Sequence, residues 1–168
     1  SPGPMEVVVS YTVLGIEHIL LGVDHLLFVA ALMMLVRGLR PLLLTITAFT
    51  IAHSVTLALA TLGLIRVPGP PVEAVIALSI VFVAVEILRR EKGRPSLASE
   101  RPWLVAFSFG LLHGLGFAGA LAEVGLPEAS IPLALVFFNV GVEIGQLIFV
   151  GVLLVGAAFL QCLAGPVA

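Results

Sequence analysis

This chain carries little charge. Asp, Glu, Lys and Arg make up 11% of its 168 residues, where a soluble domain carries roughly 25%. Cys162 is the only cysteine, which excludes an intrachain disulfide and a cysteine-based metal cluster. There is one Trp and one Tyr, and the net charge is −2. No basic patch carries stacking aromatics around it, so neither nucleic acid nor an anionic surface is expected as a partner. No nucleotide-binding motif is present, which excludes a drive from nucleotide hydrolysis. The first apolar run has no basic flank and contains Glu17, His18 and Asp24, unlike a cleavable signal peptide. No solenoid-type repeat or low-complexity stretch interrupts the sequence.

What fills the space is hydrocarbon. Hydrophobic residues reach 60% and the mean hydropathy is +1.22. Most of the chain lies in apolar runs longer than about 18 residues, the signature of membrane spans. The expected fold is all-α: one polytopic transmembrane helical bundle over residues 5–168, with residues 1–4 read as a cloning remnant. The expected helices are 12–36, 41–64, 72–88, 103–124 and 131–163. Six spans also fit, because the last run overshoots a bilayer and must tilt, protrude or break; five are favoured. The stretch from Asn139 to Gly145 is the expected place for a kink.

The basic residues set the orientation. Arg37 and Arg40 lie between the first two spans, and Arg89, Arg90, Lys92, Arg94 and Arg101 between the third and fourth. Arg66 alone lies between the second and third. The positive-inside rule puts the two richer loops in the cytoplasm, hence the N-terminus outside and the C-terminus inside. The expected location is a bacterial inner membrane.

Three of the four histidines and one aspartate fall near the middle of three separate spans: Asp24 and His25, His53, and His113. Helices crossing the same ~30 Å share a midplane, so these groups would sit at one depth. Each ionisable group there costs roughly 2.5–3.5 kcal/mol on insertion scales for Asp, Lys or Arg and is usually partnered. Imidazole and carboxylate together form a transition-metal ligand set. His18 shares the stripe of His25, since positions i and i+7 differ by about 20° in azimuth. In a continuous helix the two lie ~10 Å apart along the axis, too far to hold one ion. His18 is then an outer gate ligand and His25 a core ligand. Gly22, between them, leaves room for a backbone or an ion.

The last run adds Asn139, Glu143 and Gln146 on one face, and Ser54 follows His53. Ser54 and Thr50 could equally bond carbonyls of their own helix. Gly110, Gly114 and Gly119 are explained by tight helix packing. Glu86 reads as an ordinary partner of Arg89 and Arg90, Glu73 as a first-turn charge favoured by the helix dipole, and Glu123 and Glu128 as rim charges. The candidate metal residues are His18, Asp24, His25, His53, His113 and Glu143, with Ser54, Asn139 and Gln146 in support.

With those residues in place, the chain resembles the HupE/UreJ family of membrane proteins, associated with hydrogenase and urease and implicated in nickel uptake. The resemblance covers nearly all of residues 12–150. It rests on His18-x5-Asp24-His25, Phe49-Thr-Ile-Ala-His53-Ser54, Leu112-His113-Gly114 and Asn139-Val-Gly-Val-Glu143-Ile-Gly-Gln146. The His-x5-Asp-His element is also similar to that of nickel/cobalt permeases, which implies that His18, Asp24 and His25 take part in metal recognition. A second permease motif, Phe-His-Gly-x-Ala-x-Gly-x-Glu, is matched only at His113-Gly114, with Ala120 in place of its glutamate.

The expected function is transport of a divalent transition-metal ion, Ni²⁺ first, then Co²⁺ or Zn²⁺, with the ion and the lipid bilayer as partners. The alternative is an intramembrane zinc-dependent hydrolase. It would use His25, His53 and His113 as a catalytic set, Asp24 or Glu143 as general base and Ser54 to orient substrate. That reading leaves His18 without a part, whereas a transport path uses it.

Overall fold

An apolar chain in hydrocarbon has no water to satisfy its peptide groups, so its backbone closes on itself as helix. The computed structural model describes residues 3–124 and 130–164, with side chains for all of these but 118–124 and 164; Glu123, Glu128 and the Gly119 side of its motif lie outside them. The described elements are α1 Pro4–Leu21, α2 Val23–Leu35, α3 Leu39–Thr61, α4 Gly69–Glu91, α5 Leu97–Glu100, α6 Pro102–Val124 and α7 Ile131–Ala164. Among the described residues there is no strand. Four helices, α1, α3, α4 and α7, are each long and apolar enough to cross a bilayer.

Two outcomes differ from the sequence expectation. The first span is not one helix over 12–36. It begins at Pro4, whose ring suits a first helical position, and Glu6 accepts a hydrogen bond from the Gly3 N–H at 2.9 Å. It then breaks at Gly22, which has φ −81° and ψ 96°. Conversely, α7 runs unbroken through Asn139–Gly145, where the kink was expected. The glycines there serve packing instead. A Cβ at Gly141 would strike the Thr12 carbonyl of α1, one at Gly15 the Phe138 carbonyl of α7, and one at Gly145 would press on Ile19 at 3.2 Å. Missing side chains let two backbones approach without disturbing either helix.

These contacts also fix direction. Residue numbers rise together along α1 and α7, from Gly15 against Gly141 to Ile19 against Gly145, so the two helices are parallel. The same holds for α3 and α6, where Gly110 packs on Phe49 and Gly114 on His53 and Thr56. In contrast, α4 is antiparallel to α6, pairing Ser79 with His113 and Phe82 with Phe109. α2 continues from the middle of the bundle to the end where Arg90 of α4 donates to the Met34 and Leu35 carbonyls at 2.7 and 3.1 Å. α1 and α2 are thus consecutive helices joined at the break of Gly22.

At that same end Glu86 is 3% exposed. Its carboxylate accepts from the Ser96 hydroxyl at 3.0 Å and the Ala98 N–H at 3.1 Å, with the Arg89 guanidinium farther away at 3.8 Å. Its main role is thus to clasp the loop and α5 onto α4, and Arg90 turns to α2 rather than to Glu86.

Glycine contacts predict an asymmetric response to added methyl groups. Gly15→Ala should lower the thermal midpoint of the detergent-solubilised protein, since overpacking costs about 1–3 kcal/mol. Gly151→Ala, with nothing within 4 Å of the new methyl, should leave it unchanged or raise it slightly. Equal midpoints for the two variants in a thermal-unfolding assay would remove the α1–α7 contact from the fold's support.

Candidate functional site

The break at Gly22 changes where the histidines meet. His18 ends α1 and His25 opens α2, and their ring centroids are 4.6 Å apart rather than a continuous helix's axial spacing. His53 of α3 lies 6.0 Å from the ring of His18 and 6.4 Å from that of His25. One nitrogen from each of these three residues lies within 4.8 Å of the others. The separation of His18 as a gate from His25 as a core ligand therefore fails: the spacing argument assumed a helix through Gly22, and the chain is not helical there.

His113 of α6 packs against His25 with centroids 4.9 Å apart, so His25, His53 and His113 are neighbours as well. Its Nε2 meets the Ser79 hydroxyl at 3.3 Å. Ser79 already donates to the Ile76 carbonyl at 2.6 Å, so it can only accept from His113, and the imidazole keeps its lone pair on Nδ1. The fully buried Ser79 gives α4 a share in the centre.

A similar argument orients His53. The Asn139 side-chain N–H donates to the Leu135 carbonyl at 2.8 Å, which turns its Oδ1 toward His53 Nδ1 at 3.2 Å. Nδ1 must then carry the proton and donate, leaving the Nε2 lone pair for a ligand. Among the described residues, His18 Nε2, both nitrogens of His25, His53 Nε2 and His113 Nδ1 are buried without a hydrogen-bond partner. An unsatisfied buried polar atom costs about 1–3 kcal/mol. Five in one place are far from the ordinary behaviour of a helix interior.

Phenylalanines enclose the imidazoles. Phe117 and Phe138 stack on each other with centroids 4.9 Å apart and flank His18 at 4.0 and 5.5 Å. Phe49 and Phe28 lie 5.2 and 5.5 Å from His113. This wall was not anticipated as a unit. Its signal was available in the spacing, because Phe49 precedes His53, and Phe117 follows His113, by one helical turn.

The remaining candidates sit elsewhere. Asp24 is exposed on α2 and, among the described residues, joins neither the three-histidine group nor an ion pair. Glu143 lies in a separate groove of about 520 Å³ between α3 and α7, where it accepts from the Thr47 hydroxyl at 2.7 Å. Gln146 accepts from Thr50 at 3.0 Å, while the Ser54 hydroxyl bonds back to the Thr50 carbonyl at 2.6 Å within its own helix. The three nearest donors are thus all nitrogen, and the carboxylates stand apart from them.

The HupE / UreJ protein family matches residues 2–164. The chain belongs to the HupE/UreJ family. No curated protein and no solved structure matches it. Membership makes this HupE/UreJ protein an integral membrane protein related to nickel and cobalt transport.

The Asn139–His53 bond yields a test. Asn139→Leu should keep the volume but free the His53 ring, and loss of such an orienting partner typically costs about ten- to hundredfold in metal affinity. Titration with Co²⁺, read by its visible absorption, measures the shift; an unchanged affinity would mean that Asn139 does not orient the ligand.

Proposed function

We propose that this protein carries a divalent transition-metal ion, Ni²⁺ or the chemically similar Co²⁺ or Zn²⁺, across the bacterial inner membrane through the imidazole centre. The observation that supports this most is the group of buried imidazole nitrogens without partners, three of them close enough to face one ion. Nitrogens on one ion at about 2.0–2.1 Å lie no more than about 4.2 Å apart, so the rings draw slightly inward on binding. His18, His25 and His53 form the first ligand set, and His113 lies beside it as the next nitrogen along the path.

The donor set suits borderline cations, and the Irving–Williams order leaves the choice among them to geometry and supply. Neutral ligands leave the ion its full charge inside a phenylalanine wall, which opposes deep trapping and favours passage. Without a nucleotide motif, the ion gradient or the membrane potential supplies the drive. Asp24, on the outer face, and Glu143, in its groove, act on the ion as charges at a distance or as stations before and after the centre. The arginine-rich end faces the cytoplasm on this reading.

The hydrolase reading loses its parts in the same geometry. Ser54 is turned into its own helix, Asp24 faces outward, and Glu143 is held by Thr47 in another groove. His18, which that reading left idle, belongs to the three-nitrogen group.

His18→Ala and His25→Ala should therefore reduce metal occupancy and proteoliposome uptake to a similar degree, each by at least tenfold. Wild-type affinity should fall as pH is lowered, because a protonated imidazole cannot ligate. Metal analysis of the purified variants together with ⁶³Ni uptake checks both. Saturable binding without uptake in any gradient would reject transport, and uptake intact in both variants would reject the imidazole path.

A further inference from the structure

Gly22 sits where the site and the helix compete. Its N–H donates to the His18 carbonyl at 3.1 Å, closing α1, and its own carbonyl accepts from the Leu26 N–H at 3.1 Å, opening α2. Between those two bonds the amides of Val23, Asp24 and His25 fall outside both helical ladders. Irregular backbone at membrane depth persists only where protein buries it or a cavity hydrates it, and discontinuous helices of this kind flank ion sites in transport proteins.

The space around Gly22 is already taken. A Cβ there would lie 2.7 Å from His25 Nδ1 and 2.8 Å from the His18 carbonyl oxygen. The glycine φ of −81° is open to any residue, so conformational freedom does not explain the glycine. Room for the folded-back imidazole does. The same seven-residue stretch, wound as continuous helix, would carry His18 and His25 about 10 Å apart along the axis.

We infer that Gly22 is a positioning residue that assembles the metal site: the broken turn brings His18 and His25 onto one ion, and rewinding that turn into helix takes the site apart and releases the ion. This rests on the metal-carrying reading above and adds a two-state element to it. The two states differ in the ligands they offer, so a bound ion biases the chain toward the broken one. Adding a Cβ at position 22 biases it the other way, because alanine favours the helix over glycine and crowds the His25 ring.

The experiment places spin labels at Val9 and Met34, which are 55% and 62% exposed on the two halves, in a chain with the exposed Cys162 replaced by serine. The two positions are 25 residues apart, about 37 Å in a continuous helix. Wild-type protein in nanodiscs should show a shorter distance that sharpens when Co²⁺ is added. Gly22→Ala should shift the distribution toward the continuous-helix value, lower Co²⁺ affinity at least tenfold, and move the Co²⁺ absorption bands toward fewer nitrogen ligands, with helicity retained by circular dichroism. A distance unchanged by Gly22→Ala overturns the inference whether or not affinity falls, since the methyl would then act on the ring alone. A wild-type distribution that ignores saturating Co²⁺ overturns it without any variant. Protein that takes up no Co²⁺ but still lengthens in Gly22→Ala would reject the metal-carrying function, while the hinge itself would stand.

Discussion

Backbone-to-backbone contact at glycine is the interaction on which the rest of this bundle depends. Lipid offers no hydrophobic gain for pressing one apolar helix on another, so association depends on close packing. Gly15 against Phe138 and Gly141 against Thr12 join α1 to α7, and Gly110 and Gly114 bring α6 onto α3. His18 lies one turn beyond Gly15, and His113 immediately precedes Gly114. The residues that allow the helices to touch therefore also determine how deeply the imidazoles enter.

The second constraint is the cost of polar atoms in that dry interior. Hydroxyls solve it locally: Thr12, Thr45, Ser54 and Ser108 each bond a carbonyl one turn back. Asn139 and Ser79 do more, since each satisfies itself on its own helix and then fixes the proton on a histidine of another. For His53 and His113 the outcome is a proton held by a neighbouring helix on one nitrogen and a free lone pair on the other. A network of this kind specifies one arrangement of four helices, which apolar packing alone would not.

Much of this could be read before the structure. Composition and run length require membrane helices, and the placement of His25, His53 and His113 near mid-span brings them to one level whatever the helix directions. Periodicity could not reveal the break at Gly22, because the residues on both sides are apolar and a single glycine in a membrane helix usually marks packing. That one missed break displaced His18 from the centre to its edge in the sequence reading. The same limit applied in reverse at Asn139–Gly145, where glycines suggested a kink and the helix runs straight. Azimuth was the other hidden variable: Asp24 adjoins His25 in sequence, but one residue on a helix is a turn of about 100°, which carries it to the outer face. Ser79 gave no signal of its own, being one hydroxyl in an otherwise apolar run.

The parallel pairing of α1 with α7 has a consequence for biosynthesis. Gly141 is made 126 residues after Gly15. At about 5–20 residues per second, α1 waits on the order of 6–25 s before the surface that buries it exists. During that interval α3 and α6 can already pair, placing His53 beside His113, while His18 and the open turn after it remain without their support. The half of the centre made by the chain's first helix is then the last to close, and a ribosome stalled before α7 would leave a membrane-inserted chain with only part of its centre.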